Sequence, residues 1–210
     1  MGFDMNAFSL AGKKAIVTGG AKKTGLCYGM AVALHDAGAE IVILDANSQV
    51  ENTVAELGGA KSGYHAVVAN LLDLNDLSNG FQQAISALGG RLDILVNGAG
   101  LQYRCPSEEF PEDAWDRIMG VNIKGVFFMS QLAGKVMLKQ GKGKIINIAS
   151  TNSFIGLRNM PAYVSSKGGV KQLTMALSSE WSGRGINVNA IAPGYMDTEM
   201  SKDLQQMEQG

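Results

Sequence analysis

Short apolar runs alternate with longer stretches of helical periodicity along most of the chain. The apolar runs are rich in Val and Ile, which is typical of the strands of a parallel sheet covered on both faces. Six strands are predicted, at Lys14–Thr18, Glu40–Asp45, His65–Ala69, Asp93–Asn97, Lys144–Ala149 and Asn187–Ala192. Helical patterns lie between them, near residues 25–38, 48–57, 74–88, 111–140 and 162–182. The alternation predicts a doubly wound α/β fold with a parallel, Rossmann-like sheet, with residues 1–210 as a single domain.

Composition narrows the class of protein. Apolar residues make up 46% of the 210 positions, which is enough for a full core, and the net charge is −1. Basic and acidic residues are mixed, so no nucleic-acid footprint or membrane-binding basic patch is expected. Two cysteines cannot build a disulfide framework, and the first ten residues lack a signal-peptide pattern. We therefore expect a cytoplasmic protein that acts on a small molecule.

The turn after the first predicted strand is rich in glycine. It contains Gly19, Thr24 and Gly25 and leads into a helix at Leu26. Such a turn brings backbone N–H groups close to a pyrophosphate, although glycines also punctuate many ordinary turns. The second strand ends at Asp45, about 20 residues further on, where a dinucleotide-binding fold places an acid that binds the ribose hydroxyls. The pairing favours a cofactor site over the alternative that Asp45 only caps a helix.

Three polar residues suggest acid–base chemistry. Tyr163 and Lys167 are four residues apart on a predicted helix and so share a face. A phenol titrates near pH 10, and a neighbouring ammonium is expected to lower that pKa. Ser150 follows a predicted strand, where its hydroxyl can hold a substrate oxygen, although a plain turn residue is the alternative.

Taken together, these motifs resemble those of the short-chain dehydrogenase/reductase family over essentially the whole chain. Single motifs are weak, but their joint order and spacing are specific to that family. The matching segments are Thr18 to Gly25, Asp93 to Gly100, Asn122, Ser150, Tyr163 with Lys167, and Pro193–Gly194 with Thr198.

The resemblance implies a role for each matching residue. Tyr163 is the general acid–base, Ser150 polarises the substrate oxygen, and Asn122 supports a proton-relay water. Lys167 binds the nicotinamide ribose and lowers the pKa of Tyr163. The implied cofactor-binding residues are Gly19, Thr24, Gly25, Leu26, Asp45, Asn70, Asn97, Ala99, Gly100, Tyr163, Lys167, Pro193, Gly194 and Thr198.

Within the family the chain looks most like sugar-acid dehydrogenases of the 2-deoxy-D-gluconate 3-dehydrogenase and gluconate 5-dehydrogenase type. Some positions depart from the family pattern. The glycine-rich turn is two residues longer and carries Lys22 and Lys23, Cys27 replaces its last glycine, and Gly98 stands where a second Asn is usual. These departures are expected to change cofactor affinity rather than the reaction.

An anionic, polyhydroxylated substrate is predicted from two arginines. Arg104 and Arg158 lie on loops that leave the carboxyl ends of strands, and a guanidinium binds a carboxylate through two parallel hydrogen bonds. A solvated loop charge is the alternative for each. NAD is expected rather than NADP, because a 2′-phosphate would meet Asp45. No metal site is expected, because His35 and His65 are far apart and near no other ligand pattern.

Two other functions stay open at this point. One is a dinucleotide-binding protein without turnover, and the other is a 3-oxoacyl thioester reductase, which would favour NADPH and a basic docking patch. A homo-oligomer is expected from the resemblance. The sequence after Thr198 is short and polar, so the C-terminal strand of the family is expected to be missing. Its absence would favour a dimer over a tetramer.

Overall fold

The computed structural model describes residues 5–196. This part of the chain contains one six-stranded parallel sheet. Its strands are β1 (Lys14–Thr18), β2 (Glu40–Asp45), β3 (Tyr64–Val68), β4 (Ile94–Asn97), β5 (Gly143–Ile148) and β6 (Ile186–Ile191). The spatial order is β3-β2-β1-β4-β5-β6, and every neighbouring pair is parallel. The predicted fold class is confirmed, with strand boundaries that differ from the prediction by one residue at most.

The helices are α1 (Leu26–Asp36), α2 (Gln49–Glu56), α3 (Leu74–Ala87), α4 (Glu112–Met119), α5 (Val126–Gln140) and α6 (Pro161–Trp181). They cover both faces of the sheet, and this explains the continuous apolar runs of the strands. In β1, Ile16 packs with residues of α3, α5 and α6, whereas its neighbours Ala15 and Val17 pack with residues of α1 and α2. All three are fully buried.

The helix predicted over 111–140 is helical without a break from Glu112 to Gln140, but it is not α-helical throughout. A π-helical segment, Gly120–Gly125, separates α4 from α5. Both of its end glycines pack tightly, because a Cβ at Gly120 would lie 2.5 Å from Leu72 Cδ2 and one at Gly125 would lie 3.1 Å from Leu71 Cβ. Single-turn π-segments inside helices often mark functional sites.

The strand order reverses direction between β1 and β4. The chain winds outward from β1 to β3, then returns across β1 to place β4 on its other side. The carboxyl ends of β1 and β4 are therefore neighbours at a topological switch point, where open α/β sheets have their ligand crevice. Across the part of the chain that the structure describes, no helix is long and apolar enough to cross a membrane.

Candidate active site

A cavity of about 850 Å³ opens at the carboxyl ends of the strands. It brings together most of the residues that the sequence singled out. The predicted residues on its wall are Gly19, Thr24, Gly25, Leu26, Asp45, Asn70, Ala99, Gly100, Arg104, Ser150, Tyr163, Lys167, Pro193 and Gly194. Three predicted residues, Asn97, Asn122 and Arg158, are not part of that wall. Thr198 lies outside the described residues.

Backbone conformation and close packing both favour glycine in the turn after β1. Gly19 and Gly20 have φ values of +83° and +108°, a region that favours glycine. A Cβ at Gly19 would lie 3.3 Å from the backbone nitrogen of Ala99. Among the described residues, no side chain caps the first turn of α1, so its N–H groups are available for an anion. These features fit the diphosphate of a dinucleotide.

Asp45 ties the end of β2 to the glycine-rich turn. Its Oδ2 accepts a hydrogen bond from the backbone nitrogen of Ala21 at 3.0 Å, and Oδ1 accepts one from that of Asn47 at 2.9 Å. The carboxylate is thereby fixed on the cavity wall. Its position fits the predicted role of receiving ribose hydroxyls.

Helix α2 holds the longer glycine-rich turn through Ala21 and Lys23. Thr53 donates a hydrogen bond to the carbonyl oxygen of Ala21 at 2.6 Å. Lys23 forms an ion pair with Glu56, while Lys22 lies on the cavity wall. The two neighbouring lysines therefore have different surroundings.

Ser150, Tyr163 and Lys167 meet at the opposite end of the cavity. Ser150 is buried after β5, and its Oγ accepts a hydrogen bond from the backbone nitrogen of Asn152 at 3.1 Å. Tyr163 and Lys167 lie on α6, and the Lys167 Nζ is 5.7 Å from the centre of the Tyr163 ring. Lys167 Nζ donates a hydrogen bond to the carbonyl oxygen of Ile148 at 2.6 Å.

The expected lowering of the Tyr163 pKa is not what the structure shows. Burial raises the pKa of Tyr163, and a hydrogen bond with Ser150 opposes that shift. Burial also lowers the pKa of Lys167 to about 8, with a smaller opposing effect from Cys27. In the described part of the chain, the Lys167 ammonium bonds to the Ile148 carbonyl oxygen and faces the Tyr163 ring rather than the phenol oxygen. The protein alone therefore keeps Tyr163 in its protonated, proton-donating form.

Asn122 supports the site from behind the cavity wall. It lies in the π-helical segment, where its Oδ1 accepts a hydrogen bond from the Leu101 nitrogen at 2.7 Å. Its Nδ2 donates to the Leu101 carbonyl oxygen at 2.9 Å and to Ser166 Oγ at 3.0 Å. One side chain thus joins the helix junction, the loop after β4 and α6.

Asn97 does not reach the cavity, contrary to its predicted cofactor role. Its Nδ2 donates to Ser130 Oγ and to Asn147 Oδ1, both at 2.9 Å. Asn147 in turn donates to Thr174 on α6 at 2.9 Å. All four side chains are buried. Asn97 therefore belongs to a polar network that joins β4 and β5 to α5 and α6.

Arg104 lies on the cavity wall, and its side chain has buried nitrogen atoms. Its Nε and Nη2 are buried and have no hydrogen-bond partner among residues 5–196. The segment is anchored next to it, where the Cys105 nitrogen donates to the Asn159 carbonyl oxygen at 2.9 Å. Buried donors without a partner are costly, so these two nitrogens differ from most buried donors in proteins. Arg158, by contrast, is exposed and away from the wall.

Sequence reasoning missed several other residues of the cavity wall. Asn47 and Leu71 follow the ends of β2 and β3, a position that could have marked them as crevice residues. Arg117, Leu157 and Met160 carry no comparable sequence signal. They reach the cavity only through the packing of α4 and of the loop before α6.

Comparison with known proteins places this architecture in a family. The model of the short chain dehydrogenases matches residues 13–209. The chain belongs to the short-chain dehydrogenase family. It is therefore an NAD(P)-dependent oxidoreductase.

The relatives include several sugar-acid dehydrogenases. The chain is 44% identical to 2-dehydro-3-deoxy-D-gluconate 5-dehydrogenase of Escherichia coli, with 98% of this chain and 80% of that protein covered. It is 36% identical to gluconate 5-dehydrogenase of Gluconobacter oxydans, with 94% and 76% covered. A solved gluconate 5-dehydrogenase of Burkholderia cenocepacia, in complex with NADP and tartrate, superposes with a TM-score of 0.88 at 33% identity, covering 95% and 78% of the two chains.

Proposed function

We propose that this dehydrogenase moves a hydride between a nicotinamide cofactor and the alcohol or carbonyl carbon of a sugar acid. The observation that carries the proposal is that two buried nitrogens of Arg104, Nε and Nη2, have no hydrogen-bond partner among the described residues. Arg104 lies on the wall of the cavity that also holds Ser150 and Tyr163. A substrate carboxylate would satisfy both free nitrogens through a bidentate pair. The names of the relatives agree with this substrate class.

The reacting groups have complementary tasks. A nicotinamide cofactor held by the glycine-rich turn and Asp45 would supply the hydride donor or acceptor. Tyr163 donates a proton to the substrate oxygen in reduction and receives it in oxidation, and its raised pKa favours the proton-bearing form. Ser150 holds the same oxygen by a hydrogen bond, and Lys167 supplies positive charge beneath the ring. Asn122 holds the loop at Leu101 and α6 in place through its three hydrogen bonds.

The role of Arg104 is tested by comparing an acid with its neutral analogue. In the wild type, gluconate should be used with a higher kcat/KM than the corresponding polyol. Arg104→Ala should reduce kcat/KM for gluconate about a hundredfold, since a charge-assisted bidentate contact contributes about 3 kcal/mol, and should affect the polyol far less. Arg158→Ala is the matched control and should keep the preference. An Arg104→Ala enzyme that still prefers the acid would contradict the proposal.

We also propose a preference for NAD over NADP. Asp45 is fixed on the cavity wall by two backbone N–H groups, and a 2′-phosphate beside it would bring like charges together. Lys23 is engaged by Glu56, which removes one of the two cations that could favour NADP. Comparison of kcat/KM for both cofactors checks this, and Asp45→Ser should shift the ratio toward NADP. Equal use of both cofactors by the wild type would refute the preference.

Two broader properties belong to the same proposal. We place the enzyme in the cytoplasm, where its two free cysteines stay reduced. We expect a homo-oligomer, because Met175 on α6 and Trp115 on α4 are exposed by 59% and 38%. Light scattering at increasing concentration checks the second expectation, and a monomer at all concentrations would contradict it.

A further inference from the structure

The backbone conformation of Gly98 does not require a glycine. Its φ lies outside the left-handed region, so an alanine would fit the backbone conformation. A Cβ there, however, would lie 2.4 Å from Cys27 Sγ. The next neighbours of that Cβ are the Thr18 carbonyl oxygen at 3.2 Å and Ile148 Cγ1 at 3.5 Å. The sulfur of Cys27 is thus the closest obstacle to a side chain at position 98, and the Thr18 carbonyl oxygen is a weaker one.

The same sulfur also touches the glycine-rich turn. A Cβ at Gly19 would lie 3.3 Å from Cys27 Sγ and 3.3 Å from the Ala99 nitrogen. Cys27 therefore fills the space between the turn, the start of α1 and the segment 98–100. Thr18 fixes that segment from below, because its Oγ1 accepts hydrogen bonds from the nitrogens of Gly98 at 3.0 Å and Ala99 at 3.2 Å. Both segments line the cofactor cavity.

Cys27 has no nucleophilic role in this position. Burial raises the pKa of its thiol to about 11, and nearby Lys167 only partly opposes the shift. The thiol stays neutral near physiological pH and behaves as a small apolar group. The size and position of the Cys27 side chain are therefore the properties that matter here, rather than its reactivity.

We propose that Cys27 is a positioning residue whose sulfur sets the spacing between the glycine-rich turn and segment 98–100, and thereby the affinity for the dinucleotide. Positions 27 and 98 are 71 residues apart in the sequence, yet they share one volume. A larger group at one position requires a smaller group at the other. The departures from the family pattern at Cys27 and Gly98 are then a single compensated pair.

The test is whether removing the sulfur restores NADH binding to a Gly98→Ala variant. Gly98→Ala should weaken NADH binding by about tenfold or more, since its Cβ forces the two segments apart. The double variant Cys27→Ala with Gly98→Ala removes the sulfur and should bring the dissociation constant back to within about threefold of the wild-type value. Fluorescence titration measures binding without any substrate, so the result does not depend on the sugar-acid proposal.

Gly134→Ala serves as the control for a merely structural effect. Its Cβ would lie 2.8 Å from the Trp181 ring, away from the cavity wall. This variant should lower the midpoint of thermal unfolding and leave the NADH dissociation constant unchanged. The proposal is overturned if Gly98→Ala binds NADH like the wild type. It is also overturned if the double variant binds no better than Gly98→Ala, or if Gly134→Ala weakens binding to the same degree.

Discussion

At the residue scale, burial shifts the pKa of two titratable groups in the site, Tyr163 and Lys167. Tyr163 and Lys167 share a helix face, as their spacing predicts, and both reach the cavity. The spacing alone could not reveal that the Lys167 ammonium bonds to the Ile148 carbonyl oxygen and that burial raises the pKa of Tyr163. Desolvation depends on the whole surrounding fold, so it cannot be predicted from the spacing of two residues.

Because of Lys167, the free energy of unfolding is expected to change with pH in the alkaline range. Its pKa falls from 10.5 to about 8 on burial, so the unfolded chain binds the proton more strongly between those values. Stability contributed through this group therefore rises with pH from about 8 to 10.5, by about 3 kcal/mol in total. The free energy of unfolding of the wild type, measured relative to Lys167→Met, should rise across that window. A flat or falling difference would contradict the burial of the ammonium.

At the element scale, the pattern of apolar runs predicts the sheet well but predicts the helix junction badly. Continuous apolarity identifies strands buried on both faces, and β1 shows this with Ile16 on one side and Ala15 and Val17 on the other. The π-helical segment Gly120–Gly125 leaves no such pattern. It depends on contacts with Leu71 and Leu72, which precede it by about 50 residues.

The Asn122 side chain is expected to hold this junction together. Asn122→Ala removes three hydrogen bonds and leaves the Leu101 nitrogen and carbonyl oxygen without that partner. The free energy of unfolding should fall by about 2 kcal/mol or more, since each lost bond contributes about 1 kcal/mol. Ser166→Ala removes only one of the three and should cost less. Urea denaturation measures both, and equal stability of Asn122→Ala and the wild type would show that the junction does not depend on it.

At the scale of the whole molecule, strand order decides which predicted residues become neighbours. The reversal between β1 and β4 brings Gly19, Asp45, Ser150 and Tyr163 to one cavity, and motif spacing was sufficient to foresee that. Asn97 has the same kind of position at a strand end but points into a buried network. Which face a strand-end residue presents depends on register, and the sequence alone did not resolve it. The sharing of space by Cys27 and Gly98 likewise exists only in the folded chain.

The most direct test of the account is an assay of NADH oxidation with a keto-acid derivative of gluconate as the substrate, run with wild type and Tyr163→Phe. Tyr163→Phe keeps the ring and removes the proton-transfer group. The wild type should consume NADH, and the variant should still bind it but turn over about 10²–10⁴-fold more slowly. A variant with near-normal turnover would contradict the role of Tyr163, and a wild type inactive across a panel of sugar acids with both NADH and NADPH would contradict the proposed function.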